Sequence, residues 1–586
     1  MVSPRGEQPL IVQGDLTVLL DVDTPSHEAA RGRLARFAEL VKSPEHIHTY
    51  RITPLSIWNA CAAGVGTAEM GETLDSFSRH PVPEHIPIEI RDFASRYGRL
   101  RLLRDPGGLR LSADDALLAE EVGRNRLVAP LLRERLSPAE FRVDPADRGR
   151  IKQVLVKIGF PAEDLAGYAG GEELPLDLRP SSVSGLPFRL RPYQEEASDI
   201  FHAGGSERGG SGVIVLPCGA GKTIVGMGCM ARLRTSTLIL TTSVTAVRQW
   251  VAELLDKTTL RADQIGEYTG AAKEIRPVTV STYQIMTYRP SALEDFTHMG
   301  LFDRRDWGLI IYDEVHLLPA PVFQATAGLQ ARRRLGLTAT LVREDGREGD
   351  VFALIGPKKA DVPWKAMERQ GWIARAVCTE IRVPMPDAAR RSYALADARA
   401  RFRIASENPL KEVALRRILA DHPGEPTLII AMYVEQIREL ARSMGIPVMT
   451  GSTPQARRDA LYADFKEGRV PVLAVSKIAN FAVDLPDAAV AIQVSGTFGS
   501  RQEEAQRLGR ILRPKPGSNQ AHFYTLVSHR TIEQDYALKR QLFLCEQGYQ
   551  YAIRDDLQGK AEETVRAGEE QGRIGRRGGE ERRSWT

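Results

Sequence analysis

Val213-Ile214-Val215-Leu216-Pro217-Cys218-Gly219-Ala220-Gly221-Lys222-Thr223 decides how the rest of the chain is read. The apolar, largely β-branched start reads as a buried strand. The glycines that follow let backbone N–H groups turn toward phosphate oxygens, and Lys222-Thr223 opens a helix whose N-terminus adds partial positive charge. In such a loop, residues 216–223 cradle a nucleotide's phosphates, Lys222 reaches the β- and γ-phosphates, and the Thr223 hydroxyl ligates Mg²⁺. Leu216 stands where the general pattern has its first glycine.

About 90 residues downstream comes Leu309-Ile310-Ile311-Tyr312-Asp313-Glu314-Val315-His316. An apolar strand delivers two carboxylates to its end. Asp313 is suited to anchor the metal and Glu314 to orient and polarise a water, the two tasks that ATP hydrolysis needs. Around these motifs, apolar runs at 213–216, 237–240, 278–282 and 309–312 alternate with helical segments. A second series follows at 428–432, 472–475, 490–494 and 523–527. That rhythm predicts βαβ units, parallel sheets and an α/β fold of two similar lobes, with sites beyond the carboxyl ends of the strands.

The flanks carry less chemistry. Residues 16–20 and Val22 read as a strand, and 113–128 as a helix capped by Ser112 and interrupted at Gly123. His46 and His48 lack further ligands at metal spacing and read as ordinary histidines. Residues 170–187 (GGEELPLDLRPSSVSGLP) read as a linker, and the charged stretch 559–586 as disordered.

Composition bounds the rest. The 586 residues are 42% hydrophobic and 26% charged, enough for three to four soluble domains. No apolar run reaches the ~18 residues of a membrane span, and the apolar patch at 10–12 is too short for a secretory leader, so the expected compartment is the cytoplasm. The five cysteines form no CxxC pair, which points away from zinc and disulfide frameworks. A net charge of +4 does not by itself argue for nucleic acid. Arg outnumbers Lys 64 to 15, which suits phosphate contacts but equally follows from a GC-rich genome.

With both ATPase motifs in place, further segments resemble the superfamily-two helicases, specifically XPB-type DNA repair helicases. Leu190-Arg191-Pro192-Tyr193-Gln194 resembles the family's adenine-reading element, with Arg191 beside it and Gln194 facing the base. Gln249-Trp250 and Thr282-Tyr283 resemble its DNA-contact segments. His316 and Thr338-Ala339-Thr340 match elements that couple hydrolysis to DNA movement, as Asp484 does in the second lobe. Arg343-Glu344-Asp345 matches the triplet that the family uses in strand separation, and Asn408-Pro409 its approach to the second lobe. Residues 499–510 (GSRQEEAQRLGR) resemble the last helicase motif. There the family implies catalytic roles for Gln506 and for Arg507 and Arg510 as arginine fingers, planar cations that stabilise charge on the transferring phosphoryl group. Residues 44–60 (PEHIHTYRITPLSIWNA) resemble the N-terminal domain of bacterial members. The chain departs at Ala479, where the family usually has glycine in a loop that contacts DNA and senses ATP.

The resemblance implies an N-terminal α+β accessory domain (1–168), a linker (169–187), a first RecA-like lobe that binds ATP (188–375), a helical thumb-like insertion (376–407), a second RecA-like lobe (408–555) and a charged tail (556–586). It implies ATP and Mg²⁺ as cofactors, single-stranded and forked or duplex DNA as partner, and three-prime to five-prime unwinding in DNA repair. Two rival readings share these residues: a double-strand translocase that remodels without unwinding and serves a nuclease or other repair protein, and a DNA-binding scaffold with weak ATPase.

Overall fold

The computed structural model describes residues 8–555 apart from 43–45, 218, 292–293, 295, 320, 323–324, 327–331, 340–347, 363, 477–487, 497–506, 510, 513, 516–518, 547–548 and 550. The tail expected to be disordered lies outside the described residues. The chain divides into two compact units, Met1–Met367 and Glu368–Thr586.

The first unit opens with a four-stranded antiparallel sheet: β1 (Leu10–Val12), β2 (Thr17–Asp21), β3 (Glu39–Lys42) and β4 (Ile47–Arg51), in the order β1-β2-β4-β3. A five-stranded sheet follows, from β5 (Leu100–Asp105), β6 (Gly108–Ala113), β7 (Leu132–Ser137), β8 (Glu140–Val143) and β9 (Ala162–Leu165), in the order β7-β8-β6-β5-β9. The expected helix over 113–128 is shorter, Ala116–Arg124, because Ala113 still pairs in the sheet. Its N-cap is Asp115 and not Ser112: the Asp115 carboxylate accepts from Leu118 N at 2.8 Å. His48 is a buried core residue, and His46 Nδ1 lies 2.9 Å from Asp23 Oδ2.

Residues 170–187 are not a free linker. Leu174 and Leu176 are buried, Thr235 Oγ1 donates to the Gly170 carbonyl at 2.9 Å, and Arg179 Nε donates to the Thr258 carbonyl at 2.6 Å. The apolar residues inside this Gly/Pro-rich stretch strap it to the sheet that follows, an effect that composition alone does not reveal.

That sheet is wholly parallel and has seven strands: β10 (Ser211–Val215), β11 (Thr237–Thr241), β12 (Ile265–Tyr268), β13 (Val278–Thr282), β14 (Leu309–Asp313), β15 (Arg333–Thr338) and β16 (Lys358–Asp361). Their order is β12-β13-β11-β14-β15-β10-β16. Helices such as Lys222–Leu233 and Val244–Lys257 cross over between strands, so the strands are covered on both faces and read as continuous apolar runs. Val213, Leu238, Leu240, Trp307, Ile310 and Tyr312 fill one side of this core.

The second unit repeats the plan with β17 (Arg375–Val383), β18 (Thr427–Ala431), β19 (Val448–Met449), β20 (Val472–Ser476), β21 (Val490–Gln493), β22 (Gln520–Ser528) and β23 (Tyr551–Arg554), in the order β19-β20-β18-β21-β22-β17-β23. The boundary expected at 408 is therefore corrected. Eight residues of the supposed thumb-like insertion, with Arg375 before them, form β17, which pairs along its whole length with β22. The helices Asp387–Leu395 and Ala398–Ser406 follow it, and the second seals Phe402 and Ala405 into this unit. Charged residues interleave with β17's apolar ones and mask its strand character in the sequence.

Lys411 and Glu533 form a fully buried ion pair here, with Nζ 2.7 Å from Oε1 and a further donation from Nζ to the Val494 carbonyl at 2.8 Å. Breaking such a pair from one side strands a charge in the core. Lys411→Met is expected to lower the stability of this unit by about 3–5 kcal/mol in urea unfolding, and Lys411→Met with Glu533→Gln to recover more than half of the loss.

Candidate functional site

The parallel arrangement sends β10, β14 and β15 out of the same edge of the first sheet, side by side. Beyond β10 the chain enters the phosphate loop, where Gly219 and Gly221 take φ of +81° and +82°. The space over Gly221 is filled: a Cβ there would stand 2.6 Å from Gln194 Nε2. Both the left-handed turn and the close approach call for glycine. Leu216 and Pro217 are buried, and Leu216 N donates to the Thr338 carbonyl at 2.9 Å, tying loop to β15. Thr223 lies half-buried in the first turn of the Lys222–Leu233 helix; Cys218 is outside the described residues.

β14 ends at Asp313-Glu314. Glu314 has φ +53°, ψ 53°, a left-handed conformation that is costly for a residue with a Cβ and that clusters at functional sites. The turn points its carboxylate at the phosphate loop: Oε1 is 3.0 Å from Lys222 Nζ. Its Oε2 is buried without a hydrogen bond among the described residues, with His316 Nδ1 3.5 Å away. Burial opposes ionisation of Glu314, but the Lys222 ammonium and then His316 outweigh it and hold its carboxyl below the usual value. Asp313 is driven the other way, upward, by burial and then by the Glu314 charge. A buried carboxylate whose ionisation is resisted by its neighbour, beside an orphan carboxylate oxygen, has the donor set and the electrostatic need for a divalent cation. His316 Nδ1 and Thr338 Oγ1 lie 2.6 Å apart, joining the end of β14 to the end of β15.

Some residues stand elsewhere than the sequence implied. Trp250, expected to contact DNA, is 1% exposed, and its indole Nε1 donates to Asp313 Oδ2 at 2.9 Å. Its ring covers Gly226, where any Cβ would overlap it. Thr282 is also turned inward and caps the Tyr283–Met286 helix by accepting from Ile285 N at 3.3 Å. Of the expected contact residues on these helices, Gln249 is exposed. Gln194 is buried and does not face open space: Oε1 accepts from Arg191 N and Nε2 donates to the Ala220 carbonyl, both at 2.9 Å. Arg191 itself is half-buried.

Arg507 is 1% exposed and bonds Gln493 at the end of β21, so in this structure it is a core residue of the second unit and not a projecting finger. Asn408 ties two segments of that unit together, donating to the Pro384 carbonyl at 2.9 Å and to Ser528 Oγ at 3.0 Å. Thr340, Arg343, Glu344, Asp345, Ala479, Asp484, Gln506 and Arg510 lie outside the described residues; Ala339 is buried next to Thr338. The sequence reading placed Tyr193 and Tyr283 in family segments but gave their hydroxyls no role; these donate to the Ala220 and Asp313 carbonyls at 2.8 Å each. Tyrosine in those places looks like ordinary core, and only the fold brings the two hydroxyls to the loops.

A phosphate loop, a carboxylate pair and a strand-to-strand link gathered on one edge of a RecA-like sheet, with a second such sheet downstream, define a superfamily-two helicase core. Known proteins narrow the class. Residues 367–573 match the family described as ERCC3/RAD25/XPB C-terminal helicase, and 187–343 that described as type III restriction enzyme, res subunit. Residues 10–137 match "helicase conserved C-terminal domain", although here they lie near the start of the chain and contain the antiparallel sheet, not a RecA-like one. The chain is 55% identical over 556 residues to the DNA 3'-5' helicase XPB of Mycobacterium tuberculosis, covering 94% of this chain and 99% of that protein. It is 54% identical over 554 residues to the DNA 3'-5' helicase XPB of Kineococcus radiotolerans, covering 94% and 97%. It is 31% identical to the general transcription and DNA repair factor IIH helicase/translocase subunit XPB/SSL2 of Saccharomyces cerevisiae, covering 94% of this chain and 72% of that one. The chain belongs to the XPB family of helicases.

Trp250→Phe keeps an aromatic ring in the core and removes the donor to Asp313. It is expected to cut ATP turnover about tenfold, the scale of one hydrogen bond to a charged group, without weakening DNA binding. Unchanged turnover with weakened DNA binding would instead restore Trp250 as a DNA contact.

Proposed function

We propose that this chain is an ATP-driven DNA helicase that moves three-prime to five-prime and acts in DNA repair. The observation that carries the reading is the Lys222–Glu314 ion pair at 3.0 Å, set beside Asp313 and the His316–Thr338 contact on one sheet edge. The names of the bacterial relatives support its polarity.

Lys222 and Thr223 bind the nucleotide's phosphates, and Thr223 and Asp313 would hold Mg²⁺, which when bound would supply positive charge against the phosphoryl group and against the Asp313–Glu314 repulsion. Lys222 cannot serve phosphate oxygens and Glu314 fully at once. As its ammonium turns to phosphate, Glu314 is released to accept a proton from the attacking water. His316 relays the state of that carboxylate to Thr338, and so to the segment that carries the Arg343-Glu344-Asp345 triplet. Gln194 acts by holding the phosphate loop through Ala220. Arg510, with Gln506 and Arg507, belongs to the second lobe's share of the reaction. DNA is gripped chiefly by its backbone, which makes binding steeply salt-dependent. A repair nuclease or other repair protein is the proposed partner, and the cytoplasm with its nucleoid the proposed location; no helix among the described residues is long and apolar enough to cross a membrane.

The test is hydrolysis and unwinding measured together on a DNA fork with a three-prime single-stranded tail. Wild type is expected to do both, Lys222→Ala neither, and Arg343→Ala to keep most hydrolysis while losing at least tenfold in unwinding. DNA-stimulated hydrolysis without strand separation would replace this reading with a translocase, an alternative favoured by the helicase/translocase description of the yeast relative. No DNA-stimulated hydrolysis would leave a scaffold.

A further inference from the structure

The first unit contains a cavity of about 600 Å³ that the ATPase machinery does not use. It lies where three parts of the unit meet. The Pro54–Ala62 helix contributes Cys61, the five-stranded sheet contributes Glu163 and Asp164, and the parallel sheet contributes Ser211 and Lys359. Ser211 is the first residue of β10, whose other end leads into the phosphate loop. Five strand residues at ~3.3 Å each separate the two ends, so the cavity and the ATP site lie on opposite edges of the sheet.

Its walls are cationic. Arg99, Arg101, Lys152, Arg208 and Lys359 line it. Against them stand Asp114, Glu163 and Asp164, which leaves two positive charges in excess. Behind the lining, Arg148 pairs with Asp164 and Asp115 with Arg99. Most of the cations are engaged. Lys152 Nζ lies 2.7 Å from Asp164 Oδ2, and Arg101 Nη2 lies 3.0 Å from Asp114 Oδ1. Lys359 is different. It has no carboxylate within 4.0 Å among the described residues, and its ammonium makes one donation, to the Arg208 carbonyl at 3.1 Å. Two of its protons are unused. Arg208 forms an ion pair with Glu163, Nε lying 3.2 Å from Oε1, and its guanidinium makes no hydrogen bond among the described residues. The Tyr97 hydroxyl, on the same wall, has no partner among the described residues. Gly212 keeps Lys359 in place: a Cβ there would overlap Lys359 Cγ and stand 2.9 Å from the Pro357 carbonyl oxygen.

We propose that this cavity is a binding site for a phosphomonoester dianion, held by Lys359, Arg208 and Tyr97. Two negative charges match the two in excess, and three oxygens match an ammonium, a forked guanidinium and a phenol. A monocarboxylate would leave one charge uncompensated and offer fewer acceptors. The chemistry has two sources, a small sugar phosphate and the phosphorylated end of a nucleic-acid strand, and it is compatible with either.

The test is isothermal titration of full-length Lys222→Ala protein, in which the phosphate loop no longer competes, with ribose 5-phosphate, with 5′-phosphorylated thymidine dinucleotide and with ribose. Saturable one-to-one binding of ribose 5-phosphate but not ribose is expected, weakened at least tenfold by added Lys359→Met and by added Arg208→Ala. Arg208 is exposed, so its variant keeps the fold, and an unchanged melting temperature checks this for both. Binding of the dinucleotide alone, with the same dependence on Lys359 and Arg208, would keep the site and assign it to strand ends. No saturable heat with either phosphate, or binding indifferent to both substitutions, would overturn the proposal.

Discussion

Parallel strands have to be covered on both faces, and the crossover helices that cover them force every strand to leave the sheet at the same edge. In this protein that constraint assembles the site. β14, β15 and β10 are adjacent, so the residues that follow them meet at the ~4.8 Å spacing of neighbouring strands although they lie far apart in the chain. Lys222 thereby reaches Glu314, and His316 reaches Thr338, without any long loop. The short connections are what allow a strained residue, Glu314, to be held firmly enough to aim its carboxylate.

The electrostatics of the two edges differ in kind. At the carboxyl edge, acids and a lysine are buried together: Asp313 resists ionisation, and Glu314 is held ionised by Lys222 and then by His316. Charges so arranged can be exchanged when a polyanion arrives. At the amino edge, Asp164 is closed off by Arg148 at 2.7 Å and Lys152 at 2.7 Å, with Arg334 buried next to them and its Nε bonded to the Leu354 carbonyl. Buried ion pairs of this sort hold the Arg148–Lys157 helix to β9 of the five-stranded sheet. The strand β15 runs between the edges, from Arg334 to Thr338.

Much of this was legible in the residues because both lobes obey one pattern. Runs of buried β-branched residues marked eight strands, and β13 fell on the expected residues from end to end. The strands that escaped notice, such as β12, β16 and β17, carry charged or polar residues, as in the KKAD of β16. Strands at or near a sheet edge bury less and so lose the apolar signature. The site divides in the same way. Lys222, Thr223, Asp313 and Glu314 declare themselves by spacing. Trp250 does not, because a tryptophan beside a glutamine on an amphipathic helix carries no sign of which way the indole points, and the structure turns it to Asp313. The strap over 170–187 was hidden by its glycines and prolines, which describe backbone freedom and say nothing of what Leu174 and Leu176 bury.

The position of β10 has a consequence for how the polypeptide is made. It is the first strand of its sheet to leave the ribosome, yet its two neighbours, β15 and β16, are the last, more than a hundred residues later. Until they emerge, Val213, Ile214 and Val215 have no strand to pair with on either side, and their apolar faces wait uncovered. Non-local pairing of this kind is slow and leaves nascent chains open to aggregation. The segment that ends in the phosphate loop is thus the part of the newborn chain most in need of a chaperone, and its closure marks the moment at which this half of the motor is complete.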